Sequence, residues 1–515
     1  MWSCASDGAD PGHPDPYHDG VISERTSGIL LHPTSLPGPY GIGDLGPSTI
    51  AWLDWMAAAG CRSWQTLPLG PTGYGDSPYQ CFSAFAGNPY LISPDLLIED
   101  GLIDSLDAPD FPADKVDYGA VIPWKLAVLD AAFDTFRSSP PTGLSEAHAA
   151  FREEHRAWLE DYAIFMAIKD ARGGGPWWDW PDDLRMADPA AVAGAAARLG
   201  LDVERQMFRQ FLFFRQWDRV RAAAADRGIG IIGDIPIFVA PDSVDVWANP
   251  HLFHLDDDRR MTVVAGVPPD YFSEMGQLWG NPLYDWEAHA AEGYAWWIER
   301  LRHTAAMVDV VRIDHFRGFV DYWEIPAGSP TAVDGRWMDG PGRAVFDAIE
   351  AALGDLPIIA EDLGDVHAGI PALRDDLGLP GMKILQFAYD GNPENDFLPA
   401  RYPENCVVYT GTHDNEPVLG WYRSASWANR LRARRALRAC GPARTIPHRM
   451  MEAAWRSRAV MAVAQLQDVL RLGSESRTNI PSTPSGNWQW RFRDGDLTAR
   501  TARWLRRLNR RTGRS

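Results

Sequence analysis

Short apolar runs that terminate in acid recur along this chain. Val308-Asp309-Val310-Val311-Arg312-Ile313-Asp314-His315 is one, and Gly230-Ile231-Ile232-Gly233-Asp234, Leu356 to Asp362 and Cys406 to Asp414 have the same shape. Their β-branched bulk predicts buried strands. Strand side chains alternate between faces, so Arg312 and Asp314 share one. An arginine so placed holds the carboxylate ionised and fixes its rotamer. Taken alone, the stretch is equally consistent with a structural ion pair at a strand end. The run at Gly230 extends over Gly228–Val239, and further strands are predicted at Ser27–His32, Ser63–Leu69, Gly381–Tyr389 and Leu466–Leu472, with a helix over 48–59. Helical periodicity in Trp124–Phe136, Glu146–Lys169 and Val203–Ala225 marks a helical insertion.

Eight strands with intervening helices predict an α/β architecture, a (β/α)8 TIM barrel. The expected organisation is a flexible tail over residues 1–25 and one catalytic barrel domain over 26–515. Large, mostly helical insertions are expected at about 95–228 and 240–300, with no C-terminal β-sandwich domain. Strand C-terminal ends converge on one face of such a barrel, which would bring Asp234, Asp314, Glu361 and Asp414 together. Clustered carboxylates beside arginine and histidine suit glycosidic-bond chemistry. They would also suit a divalent cation, but no His-x-His or His-Glu-x-x-His pattern accompanies them. Two long segments punctuated by Gly and Pro, 70–80 and 265–284, read as loops that serve the active site. The second, dense in aromatics and amides, suits a substrate-covering loop.

The chain has 515 residues, 45% of them hydrophobic, enough for one large barrel with insertions. A net charge of −20 argues against nucleic acid or an anionic membrane as partner. The locally basic run Arg503 to Arg511 reads as a solvated amphipathic helix. Five scattered cysteines form no CxxC pair, so neither a disulfide framework nor a cysteine metal site is expected. The polar first 25 residues lack the apolar core of a secretory signal, and no run is long enough to span a membrane, which points to the cytoplasm. Twenty-three tryptophans, roughly three times ordinary usage, mildly favour carbohydrate. Trp177, Trp178 and Trp180 are expected in the core rather than as sugar platforms.

Longer motifs make the reading sharper. Ser27-Gly28-Ile29-Leu30-Leu31-His32-Pro33-Thr34-Ser35-Leu36-Pro37-Gly38, Leu67 to Thr72, Ser83 to Pro89 and Gly276-Gln277-Leu278-Trp279-Gly280-Asn281-Pro282 stand in order with Arg312 to His315, Ala360 to Gly364 and Gly411 to Asn415. In these the chain resembles the amylomaltases, the 4-α-glucanotransferases or disproportionating enzymes of glycoside hydrolase family 77, from about Ser27 to Arg491. The resemblance implies a retaining double displacement on α-1,4-glucans (maltodextrins, amylose, glycogen-derived oligosaccharides) without cofactor or metal, by a monomer or homodimer. It implies Asp314 as nucleophile, Glu361 as acid/base and Asp414 as the residue that grips the −1 sugar. It further implies substrate contacts at Arg312, His315, His413, Asp234, Asp270, Phe272, Gln277, Trp279, Tyr79, Ser77, Phe387 and Asn479. A retaining mechanism implies carboxyls about 5–5.5 Å apart at Asp314 and Glu361.

Two departures from the family pattern stand near the site. Glu416-Pro417-Val418 replaces an acidic residue followed by threonines, and Arg477-Thr478-Asn479-Ile480-Pro481-Ser482 replaces Arg-Met-Asn followed by Pro-Gly. Three competing readings remain: a glucan hydrolase with the same acids, a catalytically silent carbohydrate-binding barrel, and a metal-dependent barrel enzyme. The intact Asp314, Glu361 and Asp414 argue against the silent barrel.

Overall fold

The computed structural model describes residues 24–269, 274–364, 367–483 and 485–514. Among these, twelve strands are numbered β1 to β12 along the chain. Eight are parallel and close into a barrel in chain order: β1 (Thr26–Leu30), β2 (Ser63–Gln65), β3 (Gly230–Ile235), β6 (Val310–Ile313), β9 (Ile358–Ala360), β10 (Gly381–Ile384), β11 (Cys406–Tyr409) and β12 (Met461–Gln465), which returns to β1. This is a (β/α)8 TIM barrel.

Strand alternation divides the apolar residues between two cores. Leu30, Ile232, Val310, Ile359, Met382, Ile384, Val407, Tyr409, Met461 and Val463 form one closed cluster. Their neighbours Ile29, Ile231, Val311, Val408, Ala462 and Ala464 join the larger core shared with the helices. β3 and β6 pair Ile232 with Val310 and, two residues on, Asp234 with Arg312. One strand repeat therefore turns an apolar layer into an ionic one.

Strand eight is corrected. It is Met461–Gln465, whereas Leu466–Leu470 within the expected Leu466–Leu472 is a short helix. The alanines of Met461-Ala-Val-Ala-Gln lack the β-branched bulk that signals a strand, yet they fit a position packed on both faces. Other strands are shorter than expected, because β3 ends at Ile235 and Leu385–Tyr389 after β10 is a 3-10 turn.

The segment expected as a covering loop at 265–284 is largely a hairpin. β4 (Val263–Val267) pairs antiparallel with β5 (Gln277–Pro282), and β7 (Asp321–Pro326) and β8 (Arg336–Asp339) complete a four-stranded sheet. Glycines in this hairpin serve close approach: a Cβ on Gly266 would stand 2.3 Å from the Gln277 carbonyl oxygen. Sheet residues beyond 300 thus lie outside the expected 240–300 insertion.

Within 95–228 the long helices are Tyr118–Ser138, Leu144–Glu154, Arg156–Ala171 and Gly200–Ala225, with His155 interrupting the expected 146–169 helix. Trp177 and Trp180 are buried, while Trp178 reaches a cleft. The Gly200–Ala225 helix grips the loop after β2 through two side-chain amides. Gln210 accepts from the Gly87 N–H at 2.7 Å and donates to its carbonyl at 3.0 Å. Gln216 does the same to Ser93, at 2.6 and 3.3 Å.

The helix Ala499–Thr512 turns its arginines outward and buries Leu505, Leu508 and Asn509. Asn509 accepts from the Ser27 hydroxyl at 2.9 Å and donates to the Ala59 and Gly60 carbonyls. This helix therefore fastens the barrel as well as facing solvent. No helix among the described residues is long and apolar enough to cross a membrane.

Replacing Gln210 by Ala leaves both polar groups of the buried Gly87 peptide unpartnered. We expect a loss of about 2–5 kcal/mol in urea-induced unfolding. A loss below about 0.5 kcal/mol would mean that the amide clamp contributes little.

Candidate active site

The site begins with an arginine that cannot reach water. Arg312, 3% exposed at the end of β6, donates from Nη1 to both oxygens of Asp234 at 2.7 and 2.6 Å. Its Nη2 donates to Asp314 Oδ1 at 2.8 Å. A planar guanidinium with fixed donors can hold two carboxylates in one plane, and a flexible ammonium cannot. Tyr79 closes the floor by donating its hydroxyl to Asp234 Oδ2 at 2.7 Å. Among the described residues Asp314 is anchored through one oxygen, and its side chain, 29% exposed, lines the cleft.

The next residue turns the chain. His315 adopts the left-handed conformation (φ 50°), unusual for a non-glycine residue. The backbone N–H so aimed donates to Glu361 Oε2 at 2.8 Å, and the Leu363 N–H donates to Oε1 at 2.9 Å. Burial is the main cause that pushes the Glu361 carboxyl up to about 8, and the Asp314 charge adds to it. Arg312 and the two N–H donors oppose the shift without cancelling it. Its neighbour Asp362 takes a different role, accepting from the Met382 N–H at 2.8 Å and pairing with Arg374. Burial lowers the His315 imidazole to about 4, so the ring is neutral at ordinary pH.

Asp414 stands on the loop after β11. Asn479 donates to its Oδ1 at 2.6 Å, and His413 Nε2 lies 3.4 Å from the same oxygen. Arg477 donates to the Asp414 carbonyl and to the Asn479 carbonyl, each at 2.7 Å. The Tyr79 ring stacks on His413, centroids 5.0 Å apart, so one tyrosine touches both the floor and this wall. On the facing side, Trp279 packs edge-on to His315 at 4.8 Å and donates to Gln277 Oε1 at 3.2 Å.

These groups border an open cleft of about 990 Å3. Ser77, Tyr79, Gln277, Trp279, Asp314, His315, His413, Asp414 and Asn479 line it, with Asp234 and Arg312 buried beneath. Phe387 follows β10 and stands exposed against the Phe397 ring, outside that lining. Asp270 and Phe272 lie outside the described residues. The metal alternative finds no group of three or more His, Cys, Asp or Glu side chains placed to hold an ion among the described residues.

Trp488 is an addition that the sequence reading did not single out. Its ring lies 5.9 Å from both Tyr79 and His413. The signal was a Trp-Gln-Trp between a Ser/Pro/Gly-rich stretch and Arg491. Asn487 accepts from the Ile480 N–H at 2.9 Å and shapes the same rim. Of the two departures from the family pattern, Ser482 falls on this rim and Glu416 stands behind Asp414. Ser482 takes φ 63°, a conformation that favours glycine, and Glu416 accepts from the Ser424 and Ser474 hydroxyls.

A family model described as 4-alpha-glucanotransferase (glycoside hydrolase family 77) matches residues 31–498. The chain belongs to this family. It is 52% identical to a 4-alpha-glucanotransferase of Thermus thermophilus, over 94% of this chain and 98% of that one. Identity to a 4-alpha-glucanotransferase of Synechocystis is 48%, over 93% and 95% of the two chains. The solved amylomaltase from Streptococcus agalactiae in complex with acarbose superposes with a TM-score of 0.92 at 39% identity, covering 96% of this chain and all of that one. Asp314 and Asp414 of this family member thus line one cleft at the C-terminal face of its barrel, with Asp234 beneath them, while Glu361 stands behind that lining, bonded to the His315 N–H.

Arg312→Lys keeps the charge but loses the fork that joins Asp234 to Asp314. We expect kcat to fall by at least about 30-fold while the protein stays folded. A kcat within about threefold of the parent would show that charge alone suffices.

Proposed function

We propose that this family member transfers α-1,4-glucan segments from a donor malto-oligosaccharide to the 4-hydroxyl of an acceptor glucan or glucose, in the cytoplasm, by a retaining double displacement. The observation that carries the mechanism is the asymmetry between Asp314 and Glu361. One carboxylate lies against a cation with an oxygen facing the cleft, and the other is half-buried with its pKa raised. Environments that push two carboxyls apart assign nucleophile and acid.

In the first step the outward oxygen of Asp314 attacks the anomeric carbon, and the glycosidic bond breaks. The leaving 4-oxygen takes the Glu361 proton. A covalent β-glucosyl ester remains while the shortened glucan departs. In the second step the acceptor 4-hydroxyl attacks the same carbon, gives its proton to Glu361 and frees Asp314. The Arg312 hydrogen bond to Asp314 Oδ1 orients the attacking oxygen. Asp414, held by a neutral amide, grips hydroxyls of the −1 sugar as it flattens towards an oxocarbenium ion. His413, His315 and Asn479 border that sugar, and Tyr79 and Trp279 offer flat faces to flanking rings. Transfer needs a sugar hydroxyl to outcompete water, and Gln277 and Trp279 at the cleft wall support the β4–β5 hairpin as the cover of the intermediate.

Incubation with maltotriose alone tests the reaction. We expect a ladder of longer oligomers plus glucose at a constant number of reducing ends. Rising reducing ends without longer chains would mean hydrolysis, and no change would return the silent barrel.

The pH profile tests the acid. A raised carboxyl pKa keeps Glu361 protonated at neutral pH, and it loses that proton as pH climbs through about 8. Transfer should therefore decline on the alkaline side, around pH 8. A rate still level at pH 10 would remove Glu361 from the proton-donor role.

A further inference from the structure

A short helix behind the site ties together the two segments that meet at Asp414. Leu466–Leu470 follows β12 directly, and its Asp468 is fully buried. Asp468 Oδ2 accepts from the Thr410 hydroxyl at 2.6 Å, and Oδ1 accepts from the Val418 N–H at 2.7 Å. Thr410 and Val418 bound the segment Gly411–Pro417, which carries His413 and Asp414. The adjacent Gln467, also buried, donates to the Ser476 carbonyl at 3.1 Å and to Thr478 Oγ1 at 2.9 Å. Those partners flank Arg477 and precede Asn479, two residues that bond Asp414.

A carboxylate is costly to bury without a cation, and none of the ion pairs among the described residues includes Asp468. What it supplies is acceptance at both oxygens. An apolar side chain would satisfy neither donor, whereas an amide would still accept from the Val418 N–H and donate to a reversed Thr410 hydroxyl. The pair closes Gly411–Pro417 from both ends at once, and a 1 Å slip of that loop would displace Asp414 from a sugar in its distorted form.

We propose that Asp468, with Gln467 beside it, is a positioning residue for the Asp414 subsite. It holds the loop so that Asp414 meets the donor sugar in the transition state. This rests on the reading of Asp414 as a transition-state contact. Interactions made only in the transition state appear in kcat rather than KM, so the loss should fall on turnover.

The experiment measures kcat and KM on maltotriose, with thermal unfolding, for Asp468→Ala, Asp468→Asn, Thr410→Val and, in parallel, Asp414→Asn. We expect Asp414→Asn to lose activity by at least about 100-fold. Asp468→Ala and Thr410→Val should lower kcat by about tenfold, with KM within about twofold. Asp468→Asn should recover most of that loss, because its oxygen still accepts from Val418 while the Thr410 hydroxyl turns to accept. A folded Asp468→Ala with parental kcat overturns the proposal, as does a loss that falls on KM. If that variant does not fold, Thr410→Val decides by the same criteria. Near-parental activity of Asp414→Asn would instead overturn the reading of Asp414 itself, and the proposal with it.

Discussion

The fork of Arg312 is the contact on which the site depends. It lies at the level where the barrel interior changes from apolar to ionic, with Ile232 and Val310 below and Asp234 and Asp314 to either side. A lone buried guanidinium would be strongly unfavourable, and so would Asp234 without it. The buried pair is stable only together, and the remaining Arg312 nitrogen fixes the rotamer of Asp314 at the cleft edge. The anchored oxygen leaves the other free to face the cleft, which converts a structural requirement into an oriented nucleophile.

Above that floor the Glu361 carboxyl is held by backbone donors and the Asp414 carboxylate by an amide. The left-handed turn at His315 carries the strand of Asp314 to the carboxylate of Glu361. Asn479 and Arg477 hold Asp414 by its carboxylate and its carbonyl. Neutral partners fix a carboxylate without cancelling its charge, and a polar substrate needs that charge intact. The insertion helix acts on the same principle at a distance, since Gln210 and Gln216 pin the peptides of Gly87 and Ser93 downstream of the loop that carries Tyr79.

The barrel and its acids were legible because alternation and acid tips survive in linear sequence. Val310, Arg312 and Asp314 give the inward face of β6 directly. The last strand was not legible, because alanines at 462 and 464 carry no strand signature and earn their place only between β1 and β11. The sheet formed by β4, β5, β7 and β8 was hidden for a related reason. Its glycines and prolines read as loop, while its pairing partners lie far apart in the chain. Alternation alone left Glu361 and Asp362 equivalent, and the structure separates them by their partners: backbone donors and the Asp314 charge for one, Arg374 for the other. Trp488 escaped because its rim position depends on a fold-back of residues 477–488 that no local period encodes.

One feature of the barrel bears on how it assembles. β1 and β12 are neighbours, and the buried Arg514 bridges their seam, donating to the Thr26 carbonyl at 2.9 Å and the Val460 carbonyl at 3.1 Å. The seam joins segments more than 430 residues apart, the kind of remote pairing that slows folding. On a ribosome β1 has no partner on one edge until β12, more than 430 residues later, has been made, and that edge is until then open to other chains. The same adjacency brings the residues around 26 and 514 within one hydrogen bond of each other. A linker there, with new ends cut in an exposed loop, would yield a permuted barrel whose seam closes early.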